Sequence, residues 1–282
     1  MKIELESVQK PVRGLRKSLK SLPRDPPAEE VHDLRIRTRR VEAVAAALRL
    51  GRKKRTRRLL KAIQPVRKAA GEVRDMDVLV GNATTLAGRH RDEAVLRLLE
   101  HLGELRVKSA RELEETIAGQ RKDACRGLKD LSRQIGKRFS HKHGGVIAGP
   151  PDAQEGDAAE PLMQELRQWP KLSEENLHPF RIKIKELRYV LQLAEDANSK
   201  FVSALGKVKD QIGDWHDWVE LRKIAEEVLD EQDSHGALET IEAICANKLR
   251  RCLATANRLR AHYLNHEASL DKNTLTFSSN GR

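Results

Sequence analysis

Aromatic residues are scarce, at three Trp, two Tyr and four Phe in 282 residues. Proteins that hold single-stranded nucleic acids normally stack bases on aromatic rings, so the scarcity argues against that mode of binding. It leaves contact with a duplex backbone open. Cysteine is also rare. Cys125, Cys245 and Cys252 match no zinc-ligand spacing, and an odd count suits no secreted disulfide framework. They read as small apolar residues in a reducing compartment. No apolar run is long enough to span a membrane. The start, Met1-Lys2-Ile3-Glu4, lacks the apolar core of a signal peptide, so a cytoplasmic protein is the expectation. Alternating β-branched runs are missing, and the one Asn-Gly pair, Asn280-Gly281, stands at the tail where no second strand follows. Carboxylates are missing from one stretch above all. Between Val31 and Lys68 there are 14 bases against two acids, Asp33 and Glu42. That net +12 equals the formal charge of the whole chain. A concentration of this kind points to a polyanionic partner.

What the chain does contain is one stretch written twice. Val31-His32-Asp33-Leu34-Arg35-Ile36-Arg37-Thr38-Arg39-Arg40-Val41 is the first copy, and Leu177-His178-Pro179-Phe180-Arg181-Ile182-Lys183-Ile184-Lys185-Glu186-Leu187-Arg188-Tyr189 is the second. With the histidines aligned, bases match at three, five and seven residues on. An isoleucine matches at four and an aliphatic residue at nine. On a helix, Leu34, Val41, Ala45 and Leu48 fall on one side, and His32, Arg35 and Arg39 on the other. In the second copy Leu187, Leu191 and Ala194 turn inward, while His178, Arg181, Lys185 and Arg188 form the opposite stripe. A merely solvated face usually mixes signs at i,i+4 spacing, which supports the helix. These stripes carry mostly one sign and therefore cost local stability, so anion binding explains them better than solvation.

Helical periodicity runs through the rest. Helices are expected over about Glu4–Leu22, Ala28–Leu50, Lys53–Leu79, Arg91–Ala118 and Gln120–Phe139. Gly51 reads as a stop, and Pro65 and Gly71 as kinks. The pattern breaks from Ser140 to Pro161. The second half then repeats the plan, with helices near Leu162–Gln168, Ser173–Asp196, Phe201–Ile212, Asp217–Asp230 and Ala237–Asn265. Ser173, followed by Glu174 and Glu175, supplies a cap and an acidic first turn. A second matched pair, Gly71-Glu72-Val73-Arg74-Asp75-Met76-Asp77-Val78-Leu79 with Gly213-Asp214-Trp215-His216-Asp217-Trp218-Val219-Glu220-Leu221, supports a duplication. It reads as a Gly-acid turn ending in Asp75 or Asp217. The expected organisation is an N-terminal helical half over 1–140, a Gly/Pro-rich linker over 141–160, a C-terminal helical half over 161–266 and a disordered tail over 267–282.

The His-x-x-Arg-Ile segments, the Gly-Glu-Val-Arg-Asp-Met-Asp-Val segment and their duplication resemble the CHAD domain, the conserved histidine α-helical domain, from about Leu5 to Tyr263. The resemblance implies an all-α fold of two pseudo-symmetric four-helix bundles with a basic cleft between them. It further implies non-catalytic binding of inorganic polyphosphate, with association with polyphosphate granules. Glu42 stands where the family usually has a base ten residues after the first histidine, and Glu186 where a base is frequent eight after the second.

On this reading the primary contacts are Arg35, Arg39, Arg40, Arg181, Lys185 and Arg188, since guanidinium forks suit phosphate oxygens and lysine adds a mobile charge. Arg55, Arg58, Lys61 and Arg67 on the following helix, with Lys207 and Lys209, form a second tier. His32 and His178 either contact phosphate or serve as capping or packed histidines. Asp75 and Asp217 read as helix caps or as partners of an arginine such as Arg74. His141-x-His143 is a weak metal signal, and no metal or cofactor is expected. Two other readings remain. The pairs His32-Asp33 and His216-Asp217 echo metal-dependent phosphohydrolases, which need a further upstream histidine; for the second pair only His178 would serve. A basic helical nucleic-acid binder is the other, without a recognisable base-reading helix. No Walker loop and no Ser or Cys nucleophile stands in a recognisable setting.

Overall fold

The leucine, alanine and valine periodicity of the sequence becomes eight α-helices in the computed structural model, which describes residues 2–88, 93–140, 146–148, 155–192, 198–229 and 235–264. They divide between two compact units, Met1–Asp152 and Ala153–Arg282. The first holds α1 (Leu5–Ser21), α2 (Ala28–Ala47), α3 (Lys54–Ala87) and α4 (Glu93–Ser140). The second holds α5 (Glu155–Arg167), α6 (Glu174–Leu191), α7 (Ser199–Val228) and α8 (His235–Leu259), closed by a π-helical turn, Arg260–Leu264. No described helix is long and apolar enough to cross a membrane. The expected tail over 267–282 and the His141-x-His143 signal lie outside the described residues.

In the first unit α1 packs on α2, α2 on α3, α3 on α4, and α4 returns to α1. The second unit runs α5 to α6 to α7 to α8, and its π-helical turn returns to α5. Each unit has its own apolar core. The core sides expected of the two histidine helices face inward: Leu34, Val41, Ala45 and Leu48 on α2, and Leu187 on α6, are buried. Leu191 is half-buried, and Ala194 falls outside the described residues.

Several expected breaks do not occur. α4 runs 48 residues through Gly119, and α7 runs through Gly213 without a turn. α3 continues through Pro65 and Gly71, so Asp75 sits in mid-helix and ends no turn. One glycine costs a helix about 1 kcal/mol, which flanking rows of buried residues such as Leu113 and Ile117 outweigh. The stop after α2 is made by Arg49 rather than Gly51. Arg49 takes a left-handed φ of 49°. Its N–H donates to the Ala46 carbonyl at 2.8 Å, and that of Leu50 to the Ala45 carbonyl at 2.8 Å. This is a Schellman stop with arginine where glycine is usual, closed by the buried Leu50. Strands also appear where none was expected. Lys2–Glu4 pairs antiparallel with Val146–Ala148, Ile3 opposite Ile147. Three residues are too few to carry an alternating pattern. This strand, and α5 starting at Glu155, take up part of the segment read as a linker.

Polar knots fix the helices where the cores end. Arg106 of α4 donates through Nε to Asp77 of α3 at 3.1 Å and through its other nitrogens to Asp25 and the Pro26 carbonyl, holding the α1–α2 turn. In the second unit Arg260 donates to the carbonyls of Pro170, Arg167 and Trp169, while Arg167 Nε donates to the Leu264 carbonyl at 2.9 Å.

Two stability predictions follow from these contacts. Arg106→Ala leaves the Asp77 carboxylate, only 8% exposed, without its cation, and urea denaturation is expected to show a loss of about 2–3 kcal/mol. Asp25→Ala, at an 81% exposed side chain, costs less than about 1 kcal/mol. Equal losses from the two would refute the buried pair as the anchor. Arg49→Gly removes the left-handed strain and raises stability by about 0.5–1 kcal/mol in the same assay.

Candidate anion-binding site

α2 and α3 together build a cationic groove of about 690 Å³, lined by Arg35 and Arg39 from α2 and by Lys61, Gln64, Arg67, Lys68, Glu72 and Asp75 from α3. α2 begins after Pro27 with Glu29 and Glu30 in its first turn, where carboxylates favour the N-terminal dipole. Its inward leucines then fix which side of the helix meets α3. Arg35 reaches Asp75 at 3.7 Å. Burial above all, and then the charge of Arg39, lower the Arg35 pKa; Arg74 and Arg67 act the same way and Asp75 opposes them. The guanidinium therefore sits among like charges with one carboxylate in partial compensation. Arg39 is half-buried and makes no ion pair among the described residues.

The remaining expected residues of this unit divide. Arg67 lines the groove but donates to Glu42 at 3.1 Å. Glu42 is thus a partner for the next helix. Arg40 and His32 are exposed, and neither lines this groove. Arg55 and Arg58 face another groove, on the far side of α3 toward α4; Lys61 lines both. Asp75 lies inside α3 and caps no helix; it meets an arginine, Arg35, across the seam.

In the second unit the stripe lies down on small residues. α6 starts at Ser173, whose N–H donates to the Asn176 side chain at 3.0 Å. The Ser173 hydroxyl donates to Glu175 and lowers that carboxyl's pKa. Arg181 crosses α7 and donates through Nε to the Lys209 carbonyl at 3.1 Å. A Cβ on Gly213 would come within 2.8 Å of Arg181 Nη2, and one on Gly206 within 3.3 Å of Arg188 Nε. Both glycines therefore serve as seats for guanidinium groups. Arg188 Nε is buried and has no hydrogen-bond partner among the described residues. Lys185 Nζ lies 6.0 Å from the centroid of the Tyr189 ring. Lys207 is exposed, and Lys209 pairs with Asp210 at 2.6 Å.

His178 sits beside His216, ring centroids 5.0 Å apart at 46°. Burial first, then His216 and Arg181, hold the His178 imidazole below its ordinary pKa, with Glu220 opposing. Glu220 itself pairs with Lys223 at 2.8 Å. Among the described residues no group of three His, Cys, Asp or Glu gathers to hold a metal ion.

The bases five residues after each histidine are structural. Arg37 donates to Asp33 and to Ser18 of α1, and Lys183 pairs with Glu165 of α5 at 3.0 Å and with Glu186 at 3.5 Å. Both turn toward the preceding helix, not the groove. Sequence reading missed Lys68 and Gln64 on the groove; it paired His178 with His216 only as part of a metal site. Lys61, Gln64, Lys68 and Asp75 recur at three, four and seven residues along α3, a spacing that marks one face. That signal was present but was masked by the basic residues around it.

The family model described as the CHAD domain matches residues 6–226. Among solved structures the chain is similar to the crystal structure of the CHAD domain from the plant Ricinus communis, with a TM-score of 0.56 and 15% identity, over 91% of this chain and 86% of that one. At that identity the likeness is one of fold. No curated protein matches the sequence.

A histidine whose folded-state pKa lies below its unfolded value stabilises the fold above about pH 6.5 and loses that contribution as pH falls. Stability should therefore decline from neutral pH toward pH 5. The decline should be shallower in His216→Asn, which removes one neighbouring charge from His178. Denaturant midpoints measured across that range give the comparison; identical slopes in parent and variant would count against the histidine pair.

Proposed function

The chain belongs to the CHAD domain family, and from that premise we propose that it binds inorganic polyphosphate without catalysing its breakdown, at polyphosphate granules in the cytoplasm. Chief support comes from the α2–α3 groove, where Arg35, Arg39, Lys61, Arg67 and Lys68 gather against only two lining carboxylates. Such a wall repels itself and is relieved by an anion. Polyphosphate carries charge on every unit and has no other feature to read, so dense cations are sufficient to recognise it. Arginine forks give paired hydrogen bonds to phosphoryl oxygens. Arg181 and Arg188, seated on α7, supply a second set of such forks; Arg40 adds charge to the first stripe, and Lys185, Lys207 and Lys209 add charge to the second. His178, held low by burial and by neighbouring positive charge, becomes easier to protonate beside phosphate. A long polyanion has charge enough to engage both stripes at once.

Calorimetric titration with long-chain polyphosphate, against duplex DNA, single-stranded RNA and heparin as competitors, tests this over a salt series. All cationic surfaces lose affinity as salt rises, so the ranking decides. Polyphosphate is expected to outcompete the others at physiological salt, with no phosphate released in Mg²⁺ or Mn²⁺. Equal binding of duplex DNA would favour a generic basic face, and metal-dependent phosphate release a hydrolase. Arg35→Glu and Arg181→Glu should each weaken polyphosphate binding about tenfold or more. If one of them binds like the parent, the two stripes do not share a ligand.

A further inference from the structure

Arg55 and Arg58 stand apart from the α2–α3 groove. They line a second groove, of about 910 Å³, between α3 and α4, and Arg126 of α4 joins them there. Its floor is set by a close helix approach: a Cβ on Gly127 would lie 2.8 Å from Leu59 Cβ. The wall contributed by α4 also carries Asp123 and Asp130. Lys61 and Pro65 line this groove and the α2–α3 groove alike. Two cationic grooves thus flank α3 and meet at one lysine.

We infer that the α3–α4 groove is a second polyphosphate subsite, and that a linear chain crosses α3 at Lys61 to occupy both grooves at once. This rests on the polyphosphate reading above and adds a length preference to it. From Arg55 to Asp75 the path follows about 30 Å of helix at 1.5 Å per residue. Tripolyphosphate fills one groove at most, whereas a long chain fills both. Tethering the second segment by the first raises affinity without any new kind of contact. Asp123 and Asp130 oppose the polyanion. Their pairing with Arg126 and Arg133, each at 3.9 Å, is loose and leaves the opposing charge in place.

The test titrates the full chain with tripolyphosphate and with long-chain polyphosphate, with circular dichroism to confirm folding of each variant. Arg58→Ala combined with Arg126→Ala should lower long-chain affinity about tenfold or more and leave tripolyphosphate affinity unchanged. Lys61→Ala should weaken both ligands. Asp123→Asn with Asp130→Asn should tighten long-chain binding alone. Arg52→Ala combined with Arg57→Ala, two exposed bases that line neither groove, is the charge-matched control and should leave the length preference intact. Equal losses for both ligands in the Arg58/Arg126 variant, or an equal loss of long-chain binding in the Arg52/Arg57 variant, overturn the crossing path in favour of a diffuse field. Unchanged long-chain binding in the Arg58/Arg126 variant, with binding still lost in Arg35→Glu, overturns the second subsite alone. A parent that binds no polyphosphate overturns both this inference and the reading beneath it.

Discussion

Guanidinium groups laid across a helix seam are the constraint on which both units turn. Each unit sets a histidine helix against a longer helix and runs its cations along the contact, where burial and mutual repulsion oppose them. The two units meet this cost by different means. In the first, Asp75 and Glu42 approach Arg35 and Arg67 from opposite sides of the seam. In the second, Gly206 and Gly213 give Arg188 and Arg181 a surface to lie on, and the Lys209 carbonyl takes one hydrogen bond. A larger residue at Gly213 would require the guanidinium to move. The remainder of each bundle, with its separate core and its own ring of helix neighbours, keeps these seams in register.

The stretch written twice therefore keeps a plan more than a set of contacts. Equivalent positions keep the same direction: the base three residues after each histidine leads toward the following helix, and the base five residues after leads back to the preceding one. Arg37 with Ser18 and Lys183 with Glu165 illustrate the second case. Chemistry at equivalent positions has diverged, as Glu42 and Arg188 show.

Much of the fold was legible because it depends on periodicity. The inward residues of α2 and α6 fall where a 3.6-residue repeat places them, and the family motifs are dense enough to recognise. Glycine was over-read. Gly119 and Gly213 looked like breaks because local propensity was weighed without the tertiary rows around them, and the true stop at Arg49 has no sequence signature, since arginine seldom adopts a left-handed conformation. The candidate site was legible at Arg35, Arg39, Arg181 and Arg188, where stripe and motif coincide. At Arg55 and Arg58 the residues were legible as basic contacts, but not the groove they face. A run of bases along one helix does not say which side of that helix each base serves, and the answer depends on where α4 comes to lie.

Carboxylates seated within the cationic walls carry a consequence of their own. Glu42, Glu72 and Asp75 are counterions that cannot diffuse away. Mobile ions around a polybasic surface can be diluted until they no longer compete, but tethered ones keep the same local concentration at every ionic strength. The gain in affinity on lowering salt should therefore flatten before the count of basic residues would suggest. Any polyanion that settles on this face must displace fixed acids as well as dissolved ones, a demand that a bare row of arginines would not make.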